Sequence, residues 1–272
     1  MNEHDYDTAA KWYDLLFDDR TVDVACWIQF AKKYGGPILE LSCGTGRLTI
    51  PIAKAGIRID GMDISLPMLS RFKKKLAHLD RSVTKRISAI HGDITNFSIP
   101  GKQYATIFSP WGFIPLTSQQ ETSALECIKR HLLPDGMLIV DLDNPPERTG
   151  DWFIYRLKEY KEFPSLGFSL MREAFNSGSA DSPGIMQTIF KISKIARNGT
   201  VRNYLFQVRY RAYTRLEFEH ALIRQGFEID HVYGEYDLSP WSLASSRTIV
   251  VARLPRHMTV RGMYQRLRMH IE

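Results

Sequence analysis

A strand, a glycine turn and a helix follow one another between residues 37 and 53, and this succession constrains the fold more than any other feature. The apolar run at 37–41 predicts a short buried strand, which Gly44-Thr-Gly46 ends. Apolar residues at 48–53 then predict a helix. Glycines after a strand let a ligand approach the backbone, and the free N–H groups of the next helix donate to an anion. The segment therefore predicts a ligand site at the end of the first strand.

The same alternation continues along the chain. Further strands are predicted at 58–63, before His91-Gly-Asp93, at 104–109, 137–141, 227–233 and 247–252, with helices at 66–79, 119–133 and 214–225. Thr214 and Glu217 form a predicted capping box for the last helix, which Gly226 ends. Strands that alternate with helices form a parallel sheet covered on both faces. We therefore predict an α/β, Rossmann-like fold with a seven-stranded, mostly parallel sheet.

Two segments depart from this alternation. Residues 1–34 have apolar residues at helical spacing and predict an N-terminal helical lid. Residues 146–211 are rich in aromatic and β-branched residues and contain the hairpin dipeptide Asn198-Gly199, which predicts an antiparallel β insertion. The predicted division is a lid at 1–34, a core at 35–145 and 212–254, the insertion at 146–211, and a basic tail at 255–272.

Composition limits the class of protein. The chain has 272 residues, of which 44% are hydrophobic, and a formal net charge of +6. No apolar run is long enough to cross a membrane and the polar opening lacks a signal peptide pattern, so we expect a cytoplasmic protein without membrane contact. Cys26, Cys43 and Cys127 are widely spaced, which favours reduced structural thiols and no metal site. The excess of cations lies in the tail and at 71–86, where it indicates a solvated helix face.

Acidic residues end the next two strands. Asp63 closes the second strand and Asp93 the third, where carboxylates can accept from ribose hydroxyls and from an adenine amino group. A helix cap and a turn residue are the structural alternatives for these two positions. A dinucleotide fingerprint would have a third glycine where this chain has Thr49. Because the ends of parallel strands meet at one edge of the sheet, the three strand ends together predict a nucleoside site.

These motifs resemble those of the class I S-adenosylmethionine-dependent methyltransferases, in the small-molecule branch that includes sugar-amine N-methyltransferases and glycine/sarcosine methyltransferases. Residues 40–46 resemble the family's Glu-x-Gly-x-Gly-x-Gly motif, and Asp63, Asp93-Ile94 and the Leu-Leu-Pro-Asp-Gly run at 132–136 follow at the expected intervals. One departure is Ser42, where the family usually has glycine. That difference bears on the geometry of the loop more than on cofactor binding.

The resemblance implies roles for individual residues. Tyr13 would cover the methionine end of S-adenosylmethionine, Gly44 would meet its amino and carboxylate groups, and Asp63 would hold its ribose. Asp93 and Ile94 would flank adenine, and the carbonyl of Ser109 would lie near the amino group. The predicted cofactor-binding residues are Tyr13, Glu40, Ser42, Gly44, Gly46, Asp63, Ile64, Asp93, Ile94 and Ser109.

The resemblance also implies that the insertion covers the substrate pocket and the active site. The candidates for substrate contact are Trp111, Phe113, Tyr155, Arg172, Arg211 and Tyr213, each of which could equally belong to the core. Methyl transfer by in-line displacement depends mainly on positioning, so no catalytic residue is assigned beyond the candidates Tyr13 and Trp111. No histidine lies in a recognisable catalytic pattern, which favours an amine or activated carbon acceptor over a hydroxyl.

Two other functions stay open at this point. A nucleic-acid methyltransferase would use the basic tail, but the segment Ser109-Pro-Trp-Gly stands where adenine-N6 enzymes have an Asp/Asn-Pro-Pro-aromatic motif. A protein that binds S-adenosylmethionine without catalysis is the other alternative, and the intact set of motifs argues against it. We expect a small-molecule substrate rather than nucleic acid, and a homodimer is compatible with the tail as a docking helix.

Overall fold

The computed structural model describes residues 3–113, 116–144, 152–178 and 184–255. The predicted tail therefore lies, apart from Pro255, outside the described residues. The helices are α1 Glu3–Phe17, α2 Val24–Tyr34, α3 Thr49–Lys54, α4 Leu66–Leu76, α5 Arg81–Thr84, α6 Ser118–His131 and α7 Arg215–Arg224. The strands are β1 Ile38–Leu41, β2 Ile59–Asp63, β3 Ile87–His91, β4 Tyr104–Pro110, β5 Leu132–Asp143, β6 Trp152–Phe163, β7 Phe168–Gly178, β8 Ile185–Ala196, β9 Val201–Arg211, β10 Glu228–Tyr233 and β11 Arg247–Arg253.

Seven strands form the central sheet in the order β10-β11-β5-β4-β1-β2-β3. The five strands from β3 to β5 pair in parallel, and β11 runs antiparallel to both of its neighbours. The strand order reverses between β1 and β4, and open α/β sheets bind ligands at such a reversal, beyond the carboxyl ends of the strands. The predicted Rossmann-like sheet is confirmed, and its topology places a ligand site beside residues 42–46 and 110–112.

Helices cover both faces of this sheet, because neighbouring apolar side chains of the central strands point to opposite faces. Leu138 and Val140 pack against α6 and α7 on one face, whereas Ile139 packs against α2 and α3 on the other. Trp27 of α2 is completely buried in this second layer. Helix α2 therefore belongs to the covering of the sheet. Of the first two helices, α1 lies over the cavity described below.

The second sheet is antiparallel, in the order β6-β7-β8-β9, and corresponds to the predicted insertion. Its inner face packs on α1, where Leu170 and Ile192 surround the buried side chains of Trp12 and Leu16. Apolar burial of this kind contributes about 1.5–3 kcal/mol for each large side chain. The insertion therefore supports α1 from the side that faces away from the central sheet.

Local signals account for most element boundaries. Thr214 caps α7 as predicted: its Oγ1 accepts from the Glu217 N–H, and the Glu217 carboxylate accepts from the Thr214 N–H. The sequence interpretation did not predict α5 or the turn that separates β6 from β7, which contains the short 3-10 helix Pro164–Leu166 followed by Gly167 with φ 74°. It also placed the end of α6 at Leu133, whereas the helix ends at His131 and β5 begins directly after it.

Helix α1 is joined to α4 by ion pairs. The Lys75 ammonium lies 2.7 Å from both the Asp14 and the Asp18 carboxylates, and Arg71 also contacts Asp14 at 3.1 Å. The predicted solvated face at 71–86 is therefore partly an interface with α1. None of the described helices is long and apolar enough to cross a membrane.

Candidate active site

A cavity of about 300 Å³ lies where the strand order reverses. Residues that follow β1, β2, β3 and β4 form its floor and sides, and the C-terminal end of α1 covers it. Eight of the predicted site residues line it: Tyr13, Ser42, Gly44, Asp63, Ile64, Asp93, Ile94 and Trp111. Residues that the sequence interpretation did not identify also line it: Phe17, Arg20, Arg47, Met62, Met68, Gly92, Thr95, Pro110, Gly112, Leu116 and Gln120.

The turn after β1 has a left-handed backbone at three positions, with φ 58° at Ser42, 57° at Gly44 and 81° at Gly46. Ser42 therefore adopts a conformation that favours glycine, the residue usual at this position in the resembled family. A side chain at Gly46 would overlap the buried ring of Phe72, because an added Cβ would lie 2.2 Å from its Cε2. A Cβ at Gly44 would meet only the Tyr13 ring, at 3.9 Å. Gly46 thus serves helix packing, whereas Gly44 keeps the cavity open.

The Asp63 carboxylate faces the cavity and is already partly engaged by backbone. Its Oδ2 accepts from the Gly44 N–H at 2.7 Å and its Oδ1 accepts from the Ser65 N–H at 2.9 Å. Burial raises the pKa of this carboxyl, and the hydrogen bonds from Ser65 and Gly44 oppose that rise. A carboxylate offers about four lone-pair positions, and the backbone N–H groups of Gly44, Ser65 and Ile64 leave room for a hydroxyl donor from a ligand.

Asp93 is arranged so that one oxygen is left for a ligand. Its Oδ1 accepts from both the backbone N–H and the hydroxyl of Thr95, each at 2.8 Å. Within the described part of the chain, no donor bonds to Oδ2. This oxygen belongs to a residue that lines the cavity, next to Ile94.

Tyr13 and Arg47 lie next to the glycine turn and line the same cavity. Arg47 makes a bidentate ion pair with Asp23, at 2.7 and 2.8 Å, and also donates to the Arg20 carbonyl at 3.1 Å. The pKa of Tyr13 is raised because its hydroxyl is buried, an effect that nearby Arg47 opposes. Tyr13 therefore keeps its proton at neutral pH. The ion pair fixes the segment between α1 and α2 against the turn.

Trp111 has a positive φ of 62°, which directs the chain sharply after β4. Two guanidinium groups lie over its ring, that of Arg20 at 4.4 Å and that of Arg247 at 5.2 Å. Arg247 is itself bound to the buried Asp141 at 2.5 Å, and burial raises the pKa of Asp141 to about 6 despite this cation. The aromatic wall of the cavity is thus held from behind by a buried ion pair.

Residues 38–136 match the family model described as "Methyltransferase domain". An uncharacterised methyltransferase of Geobacillus sp. is 31% identical over 175 residues, which cover 63% of this chain and 78% of that protein. The cypemycin N-terminal methyltransferase of Streptomyces sp. is 26% identical over 251 residues, or 90% of this chain and 95% of that protein. The chain belongs to the S-adenosylmethionine-dependent methyltransferase family. The predicted family and enzyme class are therefore confirmed.

The fold of this methyltransferase is also found in the CcbJ methyltransferase from Streptomyces caelestis. The two structures align with a TM-score of 0.71 at 18% sequence identity, over 86% of this chain and 90% of the other. At this level of identity the likeness concerns the fold, and it agrees with the predicted architecture.

Three of the predicted cofactor residues of the methyltransferase lie behind the cavity rather than on its wall. Glu40 is buried and accepts from the Thr49 hydroxyl at 2.5 Å, and burial raises its pKa to about 7. Gly46 faces Phe72, as described above. Ser109 is completely buried, and among the described residues its hydroxyl has no hydrogen-bond partner. The hydroxyl oxygen packs against Gly112, where an added Cβ would lie 2.5 Å from it.

Most of the predicted substrate residues do not line this cavity, and Trp111 alone does among those whose side chains the structure describes. Phe113 and Tyr213 are buried because both pack edge-on against the ring of Phe218 in the core. Arg211 donates to the Ser118 hydroxyl at the start of α6 and lies over the Tyr213 ring. None of the described insertion residues lines the cavity.

Two further predicted substrate residues belong to the insertion. Arg172 does not line the cavity, but its guanidinium lies 4.5 Å from the centre of the Phe17 ring, which does. Tyr155 lies on β6, and its side chain lies outside the described residues. The insertion of this methyltransferase therefore acts on the cavity through α1.

The residues that sequence reasoning missed have no local motif. Phe17 and Arg20 follow Tyr13 at the end of α1, and only the crossing of α1 over the glycine turn brings them to the cavity. Arg47 follows Gly46 directly, so its proximity was available from the sequence. Its partner Asp23 is 24 residues earlier and could not be identified from local spacing.

Proposed function

We propose that this methyltransferase transfers a methyl group from S-adenosylmethionine to a nitrogen atom of a small molecule or of a peptide N-terminus. The observation that carries the proposal is the arrangement of Gly44, Asp63 and Asp93 at three adjacent strand ends, with vacant acceptor positions on both carboxylates. The family supplies the reaction type. The acceptor atom follows from the side chains that line the cavity.

The cavity fits the chemical groups of the cofactor. Asp63 keeps acceptor capacity that suits a ribose hydroxyl, and Oδ2 of Asp93 suits an adenine amino group. The open space at Gly44 admits the methionine end next to the Tyr13 ring. Ile94 and Met62 provide apolar surfaces for the base.

S-adenosylmethionine supplies an electrophilic methyl carbon bound to a positively charged sulfur. The chain's own residues hold the acceptor in line with that bond and exclude water. Tyr13 places an aromatic ring in the cavity, and such a ring attracts a cation within about 6 Å, whereas the ring of Trp111, over which two guanidinium groups lie, forms a wall. These two side chains therefore position the reacting groups without proton transfer.

A nitrogen acceptor matches the titratable groups present. Among the described residues that line the cavity there is no histidine, lysine or cysteine, and the two carboxylates are assigned to the cofactor. A hydroxyl acceptor usually needs a base in reach, whereas an amine that is neutral when it binds does not. The relative named as an N-terminal methyltransferase supports the same acceptor type. Exclusion of nucleic acid, a homodimer and a cytoplasmic location stay predictions.

Calorimetric titration with S-adenosylhomocysteine tests the cofactor site. Asp63→Asn removes the charge and should weaken binding about 10- to 150-fold, the loss expected for hydrogen bonds to a charged group. Asp60→Asn is the matched control, because Asp60 lies on the same strand but bonds to Lys102 and Tyr104 at the other end of the sheet. Equal affinity in the Asp63 variant and the wild type would remove the basis of the assignment.

Methyl transfer from radiolabelled S-adenosylmethionine tests the acceptor. Amines should be methylated and alcohols of the same skeleton should not, and kcat/KM should rise with pH until the free amine of the acceptor predominates. Nitrogen methylation would be contradicted if kcat/KM had the same pH dependence for amines of different pKa. Preferential labelling of alcohols would contradict it as well.

A further inference from the structure

Arg20 is a cation at the cavity wall whose charge is not balanced. Its guanidinium lies over the ring of Trp111 at 4.4 Å, and both residues line the cavity. Within residues 3–113, 116–144, 152–178 and 184–255, no carboxylate forms an ion pair with Arg20 and no group accepts a hydrogen bond from its side chain. A guanidinium has five N–H donors, and within these ranges no protein group uses those of Arg20.

The other arginines near the cavity differ from Arg20 in this respect. Arg47 is neutralised by a bidentate pair with Asp23, and Arg247 by Asp141 and Asp143. These pairs are buried and hold structural elements together. Arg20 makes no such pair, although its backbone carbonyl helps to fix Arg47.

A second cation with few partners, Arg172, lies against Phe17 at the end of α1. Arg172 contacts only one oxygen of Glu159, at 3.3 Å, and Glu159 also pairs with Lys161 at 3.0 Å. Within the described chain, the buried Nε of Arg172 has no hydrogen-bond partner. Burial lowers the pKa of Arg172, and the positive charge of Arg20 acts in the same direction.

Aromatic rings hold both guanidinium groups. Arg172 lies 4.5 Å from the centre of the Phe17 ring, which lines the cavity, and Arg20 lies over Trp111 in the way described above. Stacking fixes the planes of the guanidinium groups, so less side-chain freedom is lost when a planar or tetrahedral anion binds. Gln120 also lines this part of the cavity, and its amide oxygen is used by the Thr117 N–H, which leaves the amide nitrogen as a donor.

We infer that the methyl acceptor carries an anionic group, a carboxylate or a phosphate, which Arg20 binds with support from Arg172. This inference rests on the proposed function, since it names the class of molecule that enters the acceptor side of the same cavity. A guanidinium with unused donors at the cavity wall binds such an oxyanion by charge-assisted hydrogen bonds, and the positive charge of Arg172 behind Phe17 adds to the attraction. The acceptor is therefore a zwitterionic amine, with its nitrogen at the methyl group and its anion at Arg20.

The test uses the full-length protein saturated with S-adenosylhomocysteine and two pairs of amines, titrated at constant ionic strength. Glycylglycine and its C-terminal amide differ in a carboxylate, and glucosamine 1-phosphate and glucosamine differ in a phosphate. In at least one pair the anionic member should bind about tenfold more tightly, the gain expected for hydrogen bonds to a charged group. The pair that shows the preference identifies the anion.

Arg20→Gln should abolish this preference and Arg172→Gln should reduce it. Arg81→Gln, a change of the same kind on exposed helix α5, should retain it. The inference is overturned if the preference for the anionic member persists in Arg20→Gln. It is also overturned if the wild type shows no preference in either pair, whether both members bind or neither does. Titration of S-adenosylhomocysteine into each protein separates the two proposals. If the wild type does not bind S-adenosylhomocysteine, the proposed function fails rather than this inference.

Discussion

Alanine substitution should affect Gly46 and Gly44, two positions apart, differently. Gly46→Ala should mainly lower stability, and Gly44→Ala should mainly lower the affinity for S-adenosylhomocysteine. At Gly46 an added Cβ would lie 2.2 Å from Cε2 and 2.3 Å from Cδ2 of Phe72, a ring that is completely buried. The ring would have to move by more than 1 Å, and overpacking of this kind costs about 1–3 kcal/mol. The left-handed backbone, φ 81°, adds about 1–2 kcal/mol. Gly46→Ala should therefore lose about 2–5 kcal/mol of folding free energy.

Gly44→Ala has the backbone cost but little steric cost. Its Cβ would meet the Tyr13 ring at 3.9 Å, an ordinary contact, so the loss should be about 1–2 kcal/mol. The same Cβ occupies the cavity, and the affinity for S-adenosylhomocysteine should fall about tenfold or more, as expected when a ligand must give up well-placed contacts.

Thermal unfolding and calorimetric titration of both variants measure the two effects. At roughly 2–4 °C for each kcal/mol, Gly46→Ala should melt about 10 °C below the wild type and Gly44→Ala about 4 °C below it. At a temperature where both are folded, Gly46→Ala should keep more of the affinity for S-adenosylhomocysteine. If Gly46→Ala proved as stable as Gly44→Ala, the assignment of Gly46 to packing on Phe72 would be refuted.

Three further substitutions give separate expectations. Burial raises the pKa of Glu40 to about 7, so the wild type should lose about 3 kcal/mol between pH 4.5 and 7 as the unfolded chain releases this proton first. Glu40→Gln, which is always neutral, should match the wild type in denaturant unfolding near pH 5 and exceed it near pH 8; equal stability at both pH values would contradict the shift. Thr214→Ala removes the capping box of α7 and should cost about 1 kcal/mol in the same assay. Lys75→Met leaves the Asp14 and Asp18 carboxylates without their shared cation, although Arg71 still contacts Asp14. The affinity for S-adenosylhomocysteine should drop a few-fold and depend less on salt, whereas an unchanged salt dependence would show that the Lys75 ion pairs do not hold α1 in place.

The parts of the site that the sequence predicted are those in which a residue acts next to its own strand end. Asp63 is the last residue of β2, Gly44 and Asp93 come shortly after β1 and β3, and parallel pairing alone brings them together. The capping box at Thr214 was equally local. Ser42 keeps the left-handed conformation of a glycine, so the departure from the motif changes the residue and not the path of the loop.

What the sequence could not predict depends on how separate elements pack. Phe113 and Trp111 are two residues apart and both aromatic, yet one enters the core against Phe218 and the other lines the cavity. The positive φ of Trp111 decides between these outcomes, and no pattern of residue types reveals it. Similarly, Arg20 became a site residue only because α1 is held over the glycine turn by α4 and by the insertion.

The position of α1 has a thermodynamic consequence for the order in which ligands bind. Tyr13 lies beside Gly44 in the part assigned to the cofactor, whereas Phe17 and Arg20 border the part assigned to the acceptor. Ion pairs with α4, and the pair between Arg47 and Asp23, already hold this segment, so little of its conformational entropy remains to be lost when a ligand binds. Cofactor and acceptor should consequently bind with little cooperativity through α1, and linkage requires each to change the affinity of the other by the same small factor. A helix that is held in place before either ligand binds thereby imposes no order of binding.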